Sequence, residues 1–117
     1  MNEEFVELVH RAVERIPRGR VLSYGQVAAL IGSRAPRAAA RVLAQYGDAL
    51  PWWRVSRADG TLPAALHDRA REHYRQEGTP LHAANPLRVA ARAFLDPSER
   101  AALAKVIPPV ESGPPSG

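Results

Sequence analysis

The sequence predicts a mainly α, small domain of the helix-turn-helix type with very little β-structure. Three observations predict it. Apolar residues near the N-terminus recur at helical spacing. Two short helix-like segments follow each other across a brief turn containing Gly32. A single run, Trp53 to Ser56, has strand character. The 117 residues suit one modest core, and 45% hydrophobic with 24% charged residues is ordinary for a globular chain.

Taking the elements in order, Phe5, Leu8, Val9, Ala12, Val13 and Ile16 mark an amphipathic helix over residues 4–16, ended by Pro17-Arg18-Gly19. Val21-Leu22 reads as an apolar connection. Ser23 followed by Gln26 fits a capping box, so a helix should run from Tyr24 to Ile31 and stop at Gly32. A second helix should span Ala35 to Tyr46, with Pro36 in its first turn. Gly47-Asp48 closes it. Trp53 to Ser56 is the expected strand, and Ala58-Asp59-Gly60 the turn after it. Ala64 to Gln76 should be a helix with Leu66, Ala70 and Tyr74 inward, capped near Gly78 and stopped by Pro80. Asp96-Pro97-Ser98-Glu99 can start one more short helix reaching Val106. The tail 108–117, with four Pro and two Gly, is expected to be disordered.

Charge is distributed unevenly. Between Arg15 and Arg57 there are eight Arg and one acid, Asp48, and Lys105 is the sole Lys of the chain. A regional basic surplus is the footprint of a polyanionic partner. Arg- and Ala-rich codon usage would give the same surplus, so composition alone leaves nucleic-acid binding undecided. The second helix adds pattern. Arg34, Arg37, Ala38, Arg41 and Gln45 share one side, while Ala39, Val42, Leu43 and Tyr46 share the other. No acid stands four residues away to pair with these Arg, and the interleaved Ala would let the backbone approach a groove closely.

Several chemistries are excluded. With no Cys there is no disulfide and no thiolate metal site. The four His are scattered, and His67 and His73 miss the spacing of a helical metal pair, so no metal and no cofactor are expected. An enzyme built on His73 and Glu77 would lack a nucleophile or a second carboxylate. The acidic opening Met1-Asn2-Glu3-Glu4 is unlike a signal peptide, and no stretch is apolar enough to span a bilayer. We therefore expect a cytoplasmic monomer with no membrane contact.

An ordered set of short motifs sharpens this picture: Ile16-Pro17-Arg18-Gly19, Ser23-Tyr24-Gly25-Gln26-Val27-Ala28, Pro36-Arg37-Ala38-Ala39, Pro51-Trp52-Trp53-Arg54-Val55, Asp59-Gly60 and Glu77-Gly78. In this order they resemble the C-terminal domain of the O6-alkylguanine-DNA alkyltransferases, whose signature is Pro-Cys-His-Arg-Val. Trp52 stands at the position of the alkyl-accepting Cys and Trp53 at that of the His. A thiolate is a strong nucleophile and an indole is not. The chain is thus similar to the alkyltransferase-like proteins, non-enzymatic relatives that keep the DNA-reading scaffold. The resemblance implies a small winged helix-turn-helix-type domain with a short β-strand pair over residues 1–81, leaving 82–107 as an extension carrying one short helix.

The resemblance also implies roles. The second helix would enter the minor groove, with Ala35, Ala38 and Ala40 permitting the approach. An intercalating Arg would fill the space left by an extruded nucleotide. Counting from Pro36 makes it Arg37; Arg41, on the same face, competes, and otherwise serves as a backbone or groove contact beside Arg34. Tyr24 matches the Tyr that presses on the target phosphate. Pro51, Trp52, Trp53, Arg54 and Glu77 would form the lesion pocket. In a strand only one of the two Trp can face it, and Trp52 is expected to, although both can also be plain core filling. Glu77, with no imidazole to orient, is free for a structural hydrogen bond, and Arg54 for the binding loop or the backbone. The loop Gln45 to Leu50 lacks the enzymes' Asn-Pro hinge. The segment after Gly60 lacks their Gly-Tyr pair, leaving Leu62 and Pro63 as candidate wall residues. The expected function is a sensor that binds duplex DNA, flips and holds O6-alkylguanine without transfer, and hands it to nucleotide excision repair proteins. The alternative is a winged-helix transcription regulator, which would need no base pocket.

Overall fold

The computed structural model describes residues 2–107. The expected tail 108–117 lies outside the described residues. Five α-helices carry the fold: α1 (Glu3–Glu14), α2 (Tyr24–Leu30), α3 (Pro36–Tyr46), α4 (His67–Glu77) and α5 (Pro97–Val106). Four short strands complete it: β1 (Leu22–Ser23), β2 (Val55–Ser56), β3 (Leu81–Ala84) and β4 (Leu87–Val89).

Local chemistry explains the helix limits. Asn2 caps α1 by accepting from the Glu4 amide at 2.8 Å. Ser23 and Gln26 form the reciprocal capping box of α2, and Asp96 with Glu99 does the same for α5. Gly78 ends α4 in the left-handed region at φ 68°, where a Cβ would be strained. Helix α1 buries Val9, Ala12 and Val13, α2 buries Val27 and Ala28, and α3 buries Ala39, Val42 and Leu43. These faces meet in one cluster with Ile16, Leu22, Val55, Ala70 and Tyr74.

Several sequence expectations need correction. Val21-Leu22 is more than a connection, because β1 pairs in parallel with β2, Leu22 opposite Val55 and Ser23 opposite Ser56. The expected strand over Trp53 to Ser56 is shorter: Trp52–Arg54 form a 3-10 turn and only Val55–Ser56 extend. Tyr46 was grouped with the inward residues of α3 but is 44% exposed, since the helix ends there and the chain turns away. Leu66 belongs to a 3-10 turn, Ala64–Leu66, that precedes α4 rather than to the helix, and there it is half-buried and packs against the core as expected.

Residues 82–107 hold more than one short helix. Leu81 lies within β3, so a division after residue 81 would cut the antiparallel β3–β4 hairpin. Leu87, Val89, Ala93, Leu95 and Leu103 join the same core cluster as the helix-turn-helix. The Val21 amide donates to Ala93 O at 3.0 Å and the Leu95 amide to Val21 O at 3.2 Å. Arg20 fastens the junction by donating to Ala93 O, Phe94 O and both oxygens of Glu99. Those Arg20 hydrogen bonds hold the Glu99 carboxyl at about 2. None of this pairing leaves a local signal in the sequence, because each contact spans some seventy residues of chain, as Arg20 to Ala93 does.

Candidate nucleic-acid interface

Helix α3 opens without a side-chain cap and without an acid in its first turn. Its dipole therefore presents positive potential at the end carrying Arg34, Pro36 and Arg37, although the Ala38 and Ala39 amides already donate to Ala35 O. Arg34, Arg37 and Arg41 are exposed and have no hydrogen-bond or ion-pair partner among the described residues. By contrast, the outer face of α4 is self-neutralised, Arg71 with Asp68 and Arg75 with Glu72. Ala38 is half-buried, leaving a low surface between Arg37 and Arg41.

Beside this face lies an open pocket of about 660 Å³, within the range of roughly 300–1,000 Å³ typical of small-ligand sites. Helix α3 supplies Arg37, Ala40, Arg41, Leu43 and Ala44 to its wall. Tyr24, Arg57, Leu66 and Arg69 come from other elements, and Trp52 is 9% exposed in it. The lining is thus mostly apolar, with a rim of four arginines and one acid, Asp48. Tyr24 is half-buried at the start of α2; burial raises its phenol pKa and the Arg57 charge opposes that rise. The Arg69 guanidinium sits 5.2 Å from the centroid of the Trp52 ring, a cation–π geometry, with the Asp48 carboxylate 3.8 Å away.

The 3-10 turn at Trp52–Arg54 sends the two Trp in different directions. Trp52 lines the pocket. Trp53 meets it edge to face, ring centroids 5.6 Å apart, and stacks on His73 at 3.5 Å and 1°. Its Nε1 donates to Glu77 Oε1 at 3.0 Å, and its carbonyl accepts from the Tyr74 hydroxyl. Glu77 is the hub beneath. It also accepts from the Gly19 amide at 2.9 Å and from Arg54 Nε at 3.1 Å, while Arg54 Nη1 donates to Ile16 O at 3.0 Å. Burial opposes ionisation of Glu77, but the bonds from Arg54, Gly19 and Trp53 prevail and hold its carboxyl below the ordinary range. His73 is shifted down, chiefly by burial, toward its neutral form.

The structure therefore divides the five residues grouped from sequence as a lesion pocket. Trp52 lines the pocket beside α3. Pro51, Trp53 and Arg54 line an adjoining hollow of about 530 Å³, which Trp52 also lines together with Glu14, Arg69 and His73. Glu77 lines neither; its side chain is 3% exposed and engaged by Arg54. The reason is the turn geometry, which turns Arg54 toward Ile16 O and Trp53 onto His73 and Glu77. Of the expected interface residues, Tyr24, Arg37 and Arg41 come together at the pocket. Arg34 and Ala38 lie outside its lining. Leu62 is core, 3% exposed, whereas Pro63 does line the pocket.

Sequence reasoning missed Arg57, Arg69, Leu43, Ala44 and Leu66. Arg69 had one available signal: it stands four residues before His73 on α4, so both fall on the face turned toward the Trp pair. Among the described residues no group of His, Asp and Glu is placed to hold a metal ion, and no helix is long and apolar enough to cross a membrane.

Comparison with known proteins places this geometry. Residues 4–79 match the family described as 6-O-methylguanine DNA methyltransferase, DNA binding domain. The chain is 40% identical over 73 residues to a DNA base-flipping protein of Escherichia coli (strain K12) and equally to one of Shigella flexneri. The matched stretch is 60% of this chain and 57% of each relative, so the chain spans little more than half the length of those proteins. Among solved structures, it resembles S. pombe Atl1 in complex with damaged DNA containing O6-carboxymethylguanine, with TM-score 0.71 and 23% identity over 83% of this chain and 99% of that one. A second S. pombe ATL structure in complex with DNA gives the same values. At this identity the likeness establishes the fold, in agreement with the mainly α expectation.

Proposed function

The chain belongs to the 6-O-methylguanine DNA methyltransferase DNA-binding domain family, and on that premise we propose that it is a DNA-damage sensor that extrudes an O6-alkylated guanine and holds it without removing the alkyl group. The observation that carries this reading is the pocket itself: Arg37 and Arg41 on one wall, Tyr24 on another, and an indole where alkyl transfer needs a thiol. An unpaired arginine helix beside an open, mostly apolar pocket large enough for a base fits extrusion into the pocket. A groove reader of intact duplex would need the helix alone.

Each part has a physical task. The free arginines of α3 and its uncapped N-terminus attract the phosphate backbone. Extruding a base costs roughly a few kcal/mol in lost stacking and pairing. Arg37, exposed in the first turn of α3, would fill the vacated stack. Tyr24 and Arg57 meet the displaced strand. The small part of Trp52 that opens on the pocket gives the extruded base an apolar wall, with the Arg69 guanidinium over the ring. An alkyl group on O6 adds apolar area to bury against Leu43, Ala44, Pro63 and Leu66, which is how lesion would be preferred over guanine.

The chemistry stops at binding. The chain has no Cys. Tyr24, whose phenol lines the pocket, has its pKa raised by burial, which disfavours the nucleophilic phenolate. The Glu77 carboxylate is consumed by Arg54, Trp53 and Gly19, so Trp53 and Glu77 form a brace under the pocket where an enzyme would need a base. We further propose that the bound lesion is passed to nucleotide excision repair proteins, and that the sensor works as a cytoplasmic monomer.

The test uses the two Trp, the only ones in the chain and both at the site. Titration with a duplex containing one O6-methylguanine should change their fluorescence at lower concentration than the same duplex with guanine. Equal titration curves for the two duplexes would overturn the lesion reading.

A further inference from the structure

We propose that Arg57 is a phosphate-contacting residue of the interface, acting from a wall of the pocket that α3 does not form. The proposal rests on the DNA-binding reading above and adds a second grip on the strand.

Strand register places it. Ser23 pairs with Ser56 where the parallel β1 and β2 end. Tyr24 and Arg57 are the next residue of each strand, so they leave the pair side by side. Both line the pocket, and the Arg57 charge acts on the Tyr24 hydroxyl. A strand whose nucleotide enters the pocket must carry its flanking phosphates past this pair.

The support under Arg57 is rigid. Its amide donates to Thr61 O at 2.9 Å, and the Gly60 amide donates to Arg57 O at 2.9 Å. Gly60 sits at φ 86°, and a Cβ there would meet Val89 O at 2.3 Å. The turn is bolted to the β3–β4 hairpin: the Val89 amide donates to Gly60 O at 2.9 Å and Arg88 Nε to Asp59 O at 2.7 Å. That hairpin lies beyond residue 79, where the family match ends. The C-terminal segment thus fixes a charged residue at the pocket.

The side chain is held and still available. Arg57 Nη1 donates to Thr61 Oγ1 at 3.2 Å, and among the described residues no carboxylate lies within ion-pair distance of it, the nearby Asp59 feeling its charge only at longer range. A guanidinium has five N–H donors, so four remain for a phosphate, which suits their fork geometry. Partial ordering by Thr61 reduces the entropy lost on contact.

Binding of the O6-methylguanine duplex and its unmodified counterpart is measured by fluorescence anisotropy from about 50 to about 200 mM salt. The proteins are wild type, Arg57→Ala, Arg57→Lys and Arg75→Ala, the last removing an exposed charge paired with Glu72 on another face. Arg57→Ala should lower the slope of log K against log salt by about one and weaken both duplexes by the same factor. Arg57→Lys and Arg75→Ala should keep the wild-type slope. If Arg57→Ala keeps the wild-type slope, or Arg75→Ala loses as much, the assignment is overturned while lesion preference of the wild type stands. If the wild type itself binds neither duplex, the DNA-binding reading fails and Arg57 falls with it.

Discussion

Removing Glu77 should destabilise this protein more than removing any of the exposed arginines of α3. Glu77→Ala strips the acceptor from the Gly19 amide, the Trp53 indole and Arg54 at once. The Arg54 side chain, 13% exposed, is left without its carboxylate. Breaking one partner out of a buried ion pair costs roughly 3–5 kcal/mol. At the lower end of the range of about 4–8 °C per kcal/mol for small domains, the melting temperature should fall by roughly 12–20 °C. Glu77→Gln keeps an acceptor and loses the charge, so its cost should be smaller, about 1–3 kcal/mol.

The pH dependence has a definite sign. The folded-state pKa of Glu77 is depressed. Its stabilisation is therefore fully present above the ordinary glutamate value of about 4.3 and is lost as pH falls through the depressed folded value. Wild type should lose more stability on acidification through that window than Glu77→Gln does. Urea denaturation followed by circular dichroism, at neutral pH and at a series of acidic pH values, measures both. A cost below about 1 kcal/mol for Glu77→Ala would refute the brace, because a buried guanidinium left unpaired cannot be that cheap. An acid profile of Glu77→Gln identical to wild type would refute it too.

Three further outcomes are expected. Arg37→Ala should abolish the preference for the lesion duplex, whereas Arg41→Ala should weaken both duplexes in a salt-dependent way; competition binding that shows the reverse would move the plug one turn along α3. Trp52→Cys should show no stoichiometric methyl uptake by mass spectrometry, because Trp53 occupies the Glu77 hydrogen bond and His73 is stacked on Trp53; the variant should also lose about 3–5 kcal/mol through the cavity it leaves. Gly60→Ala should destabilise by more than about 2 kcal/mol in urea denaturation, since a Cβ 2.3 Å from Val89 O forces strand and turn apart.

What the sequence revealed and concealed follows a physical division. Ser23 with Gln26, Asp96 with Glu99, and Gly78 announce helix ends because capping acts over three or four residues of chain. The two sides of α3 were legible up to its last residue: Ala39, Val42 and Leu43 recur at helical spacing and are buried, while Tyr46 at the helix end is exposed. The two-residue strands β1 and β2 are too short to alternate, and their pairing joins residues 22 and 55. The same distance problem hid the pocket wall. Arg57 and Arg69 become site residues only once β2 and α4 are packed beside α3. Glu77 was legible as a motif residue, but its burial under Trp53 depends on the 3-10 turn that a strand assignment had missed.

The central claim joins binding to inertness, and one measurement reads both. The protein is incubated in excess with a duplex carrying O6-methylguanine, the complex is isolated, and intact protein and recovered DNA are weighed by mass spectrometry. The account predicts a recovered complex enriched in lesion duplex over unmodified competitor, with the protein mass unchanged and the methyl group still on the DNA. A methyl increment on the protein, loss of the methyl group from the DNA, or no enrichment over the competitor would contradict it.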